Sequence, residues 1–256
     1  MPFNSYIFEG RDANGYRVIN CHLPWSNSRV YWDAGNNGTG SYDRIHELAN
    51  INDFSGKWNH WAFTKDINNG EMKAFLNGEL FMSGTSKTRS MAGIVKFRIG
   101  GNAAANFNGV YDGKIDEFRV WNKALDNITI KSWMNKTVDT THPFYSNLQA
   151  AYNFNEEAGF IASDYSGNNR NGILLGLPKW EDADLTLRAF DLTTTTNRPK
   201  FTFYKGTYLS NLDSTLFTDT NYYSPVSIVE TLPFIDVNVT GISKTLVDTI
   251  YGYESG

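Results

Sequence analysis

The residues of this 256-residue chain that could do chemistry are its carboxylates, four histidines, one cysteine and a set of loop aromatics. Hydrolysis of a glycosidic bond needs two carboxylates facing each other across the bond. Asp116-Glu117 are neighbours in a strand-like stretch, which directs them to opposite faces, and Glu156-Glu157 precede a turn. No stretch spaces carboxylates along one strand face. The histidines His22, His46, His60 and His142 are scattered, and no nucleophile elbow accompanies a serine. Catalysis is therefore not expected. Cys21 is the single cysteine, so no intrachain disulfide forms, and a small buried apolar role is expected for it.

Binding chemistry is better represented. Trp25, Tyr31 and Trp32 could stack on sugar rings, with Asp33 and Asn36 as hydrogen-bonding partners. In the plainer alternative, Trp32 belongs to the core and Trp25 plugs the surface. The run Asp164-Tyr165-Ser166-Gly167-Asn168 offers carboxylate and amide oxygens in a turn. Calcium takes about six to eight such oxygens, and the same residues also suit an Asx-type turn.

The elements that must position these residues are strands. Aromatics make up 15% of the chain, which favours strands. The net charge of −4 gives no reason to expect nucleic acid. No run is long and apolar enough to span a membrane, and no signal peptide opens the sequence. Sequons at Asn37, Asn127, Asn135 and Asn238 matter only in a glycosylating secretory system.

Strands are expected at 6–9, 16–21 and 30–32, with turns between them. Residues 43–53 fit either a short helix or an irregular connection. The clearest pattern runs from Gly56 to Gly84: Trp58, His60, Ala62 and Thr64 alternate with Asn59, Trp61 and Phe63. Two more strands follow at 72–76 and 79–82, joined by Asn77-Gly78, the strongest short hairpin signal because a type I′ turn needs positive φ twice. In 94–99, Val95, Phe97 and Ile99 share one face and Lys96 and Arg98 the other. In 109–121, Ile115, Glu117, Arg119 and Trp121 oppose Asp116, Phe118 and Val120. Residues 126–134 read as a short amphipathic helix with Asp126 as N-cap.

The sequence W-x-H-W-A-F-T … G-x-M-K-x-F-L-N-G-E-L within 58–80 resembles the centre of a laminin-G-like domain of the concanavalin A-like lectin/glucanase superfamily. A second block agrees: Phe107-Asn108-Gly109 and then GKIDEFRVWNKAL at 113–125 resemble the last core strand and the helical turn after it. HLPWSNSRVYWDAG at 22–35 is similar to a variant of microbial members. The resemblance implies an all-β jelly-roll sandwich of two antiparallel sheets. It also implies one structural Ca2+ for which Asp116, Asp164 and Asn168 are candidate ligands, since Asp116 in G-x-I-D-E-F resembles a position that donates a carboxylate in related domains. His60 lies in the family motif and is expected as a hydrogen-bonded core residue.

Such domains open with an F-x-E-x-x-G-x-x-x-x-D-x-S-G-N-type motif, and nothing before Tyr6 matches it. LQAAYNFNEEAGFIASDYSGNNRNGILLG at 148–176 does. That segment either closes the first sandwich or opens a second repeat. Closure is favoured, because no second W-x-H-W meander follows and a closed sheet hides an unpaired edge. The expected organisation is a jelly roll over 1–186, with its core at 1–135, and then a linker and β-rich extension over 187–256, including a linker at 193–199 and a hairpin at 200–210.

The resemblance implies a non-catalytic carbohydrate-binding or adhesion module of a larger secreted or cell-surface protein of the bacterial type. Its expected partners are a glycan or protein ligand on a cell surface or matrix, with no nucleic acid and no membrane span. An accessory region of a secreted hydrolase is the alternative.

Overall fold

The structure, a computed structural model, describes residues 4–36, 40–104, 109–176, 178–182, 199–202, 234–237 and 246–254. Its strands are β1 (Phe8–Asp12), β2 (Arg17–His22), β3 (Arg29–Asn36), β4 (Tyr42–Leu48), β5 (Asn59–Asp66), β6 (Glu71–Leu76), β7 (Glu79–Gly84), β8 (Ile94–Ile99) and β9 (Gly113–Trp121). They continue as β10 (Leu148–Tyr152), β11 (Ile161–Ala162), β12 (Gly172–Leu175), β13 (Lys179–Asp182), β14 (Pro199–Thr202), β15 (Phe234–Val237) and β16 (Leu246–Glu254). Two short helices are α1 (Ile51–Phe54) and α2 (Asn127–Trp133).

The strands form two antiparallel sheets. The first runs β11-β12-β15-β8-β1-β2-β3-β4; the second runs β13-β14-β9-β16-β5-β6-β7, with β10 also paired to β9. Alternation along each strand sends one set of side chains into the space between the sheets. Phe8 is the hub of that core: its ring lies 5.8 Å from Trp32, 6.0 Å from Phe63, 5.8 Å from Phe97 and 6.1 Å from Phe118. Each such ring pair contributes about 0.5–1.5 kcal/mol beyond its area burial.

A second, smaller cluster lies on the other side of the second sheet. Ala62, Phe75, Trp121 and Leu148 pack there with Leu125 and Ile130 of the α2 region. Asp126 caps α2 through Thr129 N–H at 2.7 Å. At the other end, the buried Arg119 guanidinium donates to the carbonyls of Trp133, the last residue of α2, and of Lys136 beyond it. His60 is buried. Asn77 and Gly78 take φ of +52° and +79°, as a type I′ turn requires.

Several local expectations are corrected. Residues 42–48 form edge strand β4 before the helical turn α1. Val95 is exposed, while Ile94, Phe97 and Ile99 are buried, because the β1–β8 register shifts there: Arg11 faces Lys96 but Asp12 faces Ile94. Ile115 joins Phe118 and Val120 in the core rather than sharing a face with Glu117. Glu117 sits at φ +52° and the β9–β16 register skips between Thr249 and Tyr251, so a bulge resets the alternation.

The late segment occupies both sheets. In β10, Leu148 stands opposite Trp121 and Tyr152 opposite Phe118. Leu148, Ala150, Tyr152, Phe154, Ala162 and Leu174 are all buried. Further on, β16 lies between β9 and β5. The expected linker at 193–199 lies outside the described residues apart from Pro199. Of the expected hairpin, 200–202 fall in β14 and the rest lies outside the described residues.

Candidate functional site

The outward face of the first sheet carries a polar cluster built by strand register. Glu9 of β1 stands opposite Asn20 of β2, Asn20 opposite Asp33 of β3, and Asp33 opposite Arg44 of β4. Glu9, Asn20 and Asp33 are each 0% exposed. Buried carboxylates need partners, and arginines supply them. Glu9 pairs with Arg11 and, at 3.5 Å, with Arg17. Asp33 receives Arg44 through Nε at 2.5 Å and Nη2 at 2.7 Å, a two-pronged guanidinium–carboxylate pair. Burial raises the Asp33 carboxyl above its ordinary pKa, and the Arg44 hydrogen bond opposes that shift.

A second row runs one step along the strands, where His22 faces Tyr31 and Tyr31 faces His46. His22 accepts from the Asn20 amide (3.0 Å) and meets the Ser5 carbonyl (2.9 Å). A carbonyl only accepts, so Nδ1 carries the proton, Nε2 is the acceptor and the ring is neutral. Burial accordingly pulls its pKa down to about 3.

Aromatic rings frame this polar ground. Trp25 is half-buried, with its ring 4.2 Å from His22 and 5.8 Å from Tyr6. Tyr31 is half-buried; its hydroxyl accepts from the Asn27 amide at 2.8 Å and its ring lies 5.2 Å from His46. The Arg44 guanidinium sits between Tyr31 and Tyr42, at 4.6 and 5.0 Å from the ring centres.

Of the ligand candidates named from sequence, Trp25, Tyr31 and Asp33 meet on this face. Trp32 does not. It is 0% exposed, packs on Phe8 and Phe63, and donates its indole N–H to the Thr64 carbonyl at 3.2 Å. Strand alternation is the reason, since Trp32 lies between two outward residues. Asn36 ends β3 opposite Tyr42. Sequence reasoning missed Asn27, Arg29, Tyr42, Arg44 and His46. Their only advance signal was the alternation of Tyr42, Arg44 and His46 in a stretch that also suited a helix.

The three candidate metal ligands do not form one shell. Asp116 is 0% exposed and accepts the Glu117 N–H at 2.9 Å. Asp164 accepts four hydrogen bonds: Oδ1 from the N–H of Ala151 and of Ser166, Oδ2 from the Ser166 hydroxyl and from the N–H of Arg170. Asn168 directs its amide nitrogen at the carbonyls of Leu148 and Gln149. Ala151 also receives Tyr165 N–H on its carbonyl, so it turns both backbone groups toward the loop while standing opposite Arg119 of β9. Strand β10 therefore lies between β9 and Asp164, and a cation held at about 2.3–2.6 Å from each ligand does not reach both. Among the described residues no three His, Cys, Asp or Glu side chains gather as a metal site. The loop donors do not fit a shared calcium.

A cleft of about 280 Å³ lies at the end of β5, lined by Lys65, Asp66, Asn68, Asn122, Lys123 and Asn147 among others, and none of the candidates named above borders it. Buried Lys65 is tied to Asp43 (2.8 Å) and to the Ala34 carbonyl (2.9 Å).

Two packed antiparallel sheets define an all-β jelly roll. A laminin-G family model described as concanavalin A-like lectin/glucanases superfamily matches residues 3–131, half of the chain, and the chain belongs to that family. The match takes in β1 to β9 and most of α2. No curated protein and no solved structure matches the chain. No helix among the described residues is long and apolar enough to cross a membrane.

Proposed function

We propose that the chain is a non-catalytic carbohydrate-binding or adhesion module of a larger secreted or cell-surface protein, and that its ligand lies on the outer face of β2, β3 and β4. The observation that carries this reading is the placement of half-buried Trp25, Tyr31 and Tyr42 on one sheet face around a polar row. Sugar rings present flat apolar faces edged by hydroxyls, and such a surface offers ring faces to stack on and donors to bond. Membership of a lectin/glucanase superfamily supports the same reading. The non-catalytic part is supported by the state of the carboxylates. Glu9 and Asp33 are held by arginines, and Asp116 and Glu117 are buried, the latter paired to Arg119 at 3.0 Å.

A glycan array followed by calorimetry tests it. Trp25→Ala and Tyr31→Ala are each expected to weaken binding at least tenfold, equal to about 1.4 kcal/mol, with the fold intact by circular dichroism. Retention of no glycan by the wild-type chain would refute the reading, and release of shortened sugars would refute its non-catalytic part.

A further inference from the structure

We propose that Asn14 is a site of spontaneous covalent modification, in which the backbone nitrogen of Gly15 attacks the Asn14 side-chain amide and the ring so formed opens to aspartate or isoaspartate. The reaction takes up water, releases ammonia and adds one negative charge to the turn between β1 and β2. It is independent of the carbohydrate reading above.

Asparagine followed by glycine meets the least resistance to this attack, because glycine has no Cβ to block the approach of its nitrogen. Four such pairs lie among the described residues: Asn14-Gly15, Asn69-Gly70, Asn77-Gly78 and Asn171-Gly172. The attacked amide must rotate onto the next backbone nitrogen, and three of the four are held away from it. Asn69 Oδ1 accepts the Glu71 N–H at 2.9 Å. Asn77 Oδ1 accepts the His60 N–H at 2.9 Å, and its Nδ2 donates to Asn59 at 3.0 Å. Asn171 Oδ1 accepts the Asp164 N–H at 2.8 Å. The glycines of these three pairs are buried. A side chain at Gly70 would meet the backbone of Ser86 and Lys87, and one at Gly78 would meet Lys131 and Met134. Gly172 lies in β12 between Ala162 and Val237.

Asn14 differs on each count. Ala13, Asn14 and Gly15 are all exposed at the tip of the β1–β2 hairpin. The Asn14 backbone N–H bonds Asp12 Oδ1 at 3.0 Å, while its side-chain amide has no partner among the described residues. A Cβ placed on Gly15 meets no atom within 4 Å, so there is room for the ring to close. The Gly15 N–H donates to the Asp12 carbonyl at 2.9 Å, and this bond must open first. At an exposed hairpin tip such local opening costs little. Arg11 Nη1 donates to the Gly15 carbonyl at 2.5 Å, and its charge favours the anionic attacking nitrogen; the Asp12 carboxylate opposes it.

The steps balance without any oxidation or reduction. The Gly15 N–H gives its proton to hydroxide, its nitrogen bonds to Cγ of Asn14, and the Cγ–Nδ2 bond breaks as protonated Nδ2 leaves as ammonia. Water then opens the succinimide ring at one of its two carbonyls. Cleavage of the new bond to Cγ gives aspartate, and cleavage of the old backbone bond gives isoaspartate, which lengthens the turn by one carbon. Arg11 bonds both the Gly15 carbonyl and Glu9, so it links this turn to the polar row of the outward face.

The test is peptide mapping by mass spectrometry on the full chain, incubated at mildly alkaline pH in buffer and, in parallel, in concentrated urea. Incubation in water enriched in heavy oxygen marks only the conversions that occur during the experiment. In buffer, Asn14 is expected to convert several-fold faster than Asn69, Asn77 or Asn171, giving two products of equal mass that elute apart. In urea the held amides and buried glycines are released, and the four sites should converge toward one rate. Conversion at Asn14 no faster than at the three held pairs overturns the proposal. So does a ranking of the four sites that is the same in buffer and in urea, because the fold would then play no part in the choice. An Asn14 that stays intact in buffer while it reacts in urea also overturns it, since the native turn would then protect the site.

Discussion

The Arg44 guanidinium lies 4.6 Å from the centre of the Tyr31 ring while gripping both carboxylate oxygens of Asp33, at 2.5 and 2.7 Å. One side chain thus closes a buried charge and backs an aromatic surface. Arg44→Gln should strand the Asp33 carboxylate, which is 0% exposed. Breaking a fully buried pair costs about 3–5 kcal/mol. With Arg44 open to water over 37% of its side chain, about 1–2 kcal/mol is expected here after screening. Adding Asp33→Asn should recover part of the loss, because the neutral amide needs no counter-charge. Urea unfolding of both variants measures this, and additive effects would show that the two residues are uncoupled.

We propose that residues 148–176 and the matched region fold as one unit. Strand β10 hydrogen-bonds to β9, and Tyr152, Phe154, Ala162 and Leu174 lie in the main core cluster with Phe118 and Val120. A chain ending at Lys136 loses these side chains and leaves a long edge of β9 unpaired. It should be insoluble or lack a cooperative melting transition. A soluble fragment 1–136 with a sharp transition would place the segment in a separate unit.

Asp164 organises its loop through three backbone N–H groups, those of Ala151, Ser166 and Arg170. Asp164→Asn replaces one accepting oxygen by a donor, and unfolding should cost about 1–3 kcal/mol less, the penalty for partners left unsatisfied. The loss should be the same in EDTA and in millimolar calcium. A loss seen only with calcium present would mean that the aspartate serves a cation.

Three histidines resist protonation in the fold. Burial lowers His22 and His60 to about 3, and burial with the nearby Arg119 charge lowers His142 to about 4. An unfolded histidine titrates near 6.5. Below that pH the unfolded chain takes up protons that the folded chain refuses until about pH 3–4, so stability rises with pH across this window and levels off above it. The melting temperature should therefore fall steadily from pH 7 to pH 4. The slope should shrink in His22→Asn and His142→Asn, judged against each variant's own value at pH 7.5. A melting temperature flat between pH 7 and pH 5 would contradict these neutral states.

Local signals in this chain were strong where the chain neighbours itself. Alternation through Asn59–Asp66, the Asn77-Gly78 turn and the Asp126 cap each depend on residues a few positions apart, so the meander, its hairpin and α2 were legible from the amino acids alone. The family was legible for the same reason, since its motifs are contiguous. Which strand face becomes core is a tertiary matter. The alternation in β3 allows either Trp32 or Tyr31 to point inward, and only packing against Phe8 and Phe63 selects Trp32. Bulges are likewise hidden. The positive φ at Glu117 and the register shift near Val95 each move residues to an unexpected face, and neither is marked by a glycine. The site depends on pairing between strands. Arg44 reaches Tyr31 because β4 adds to the edge of β3 in one register, and a one-residue slip would turn Arg44 and His46 to the opposite face.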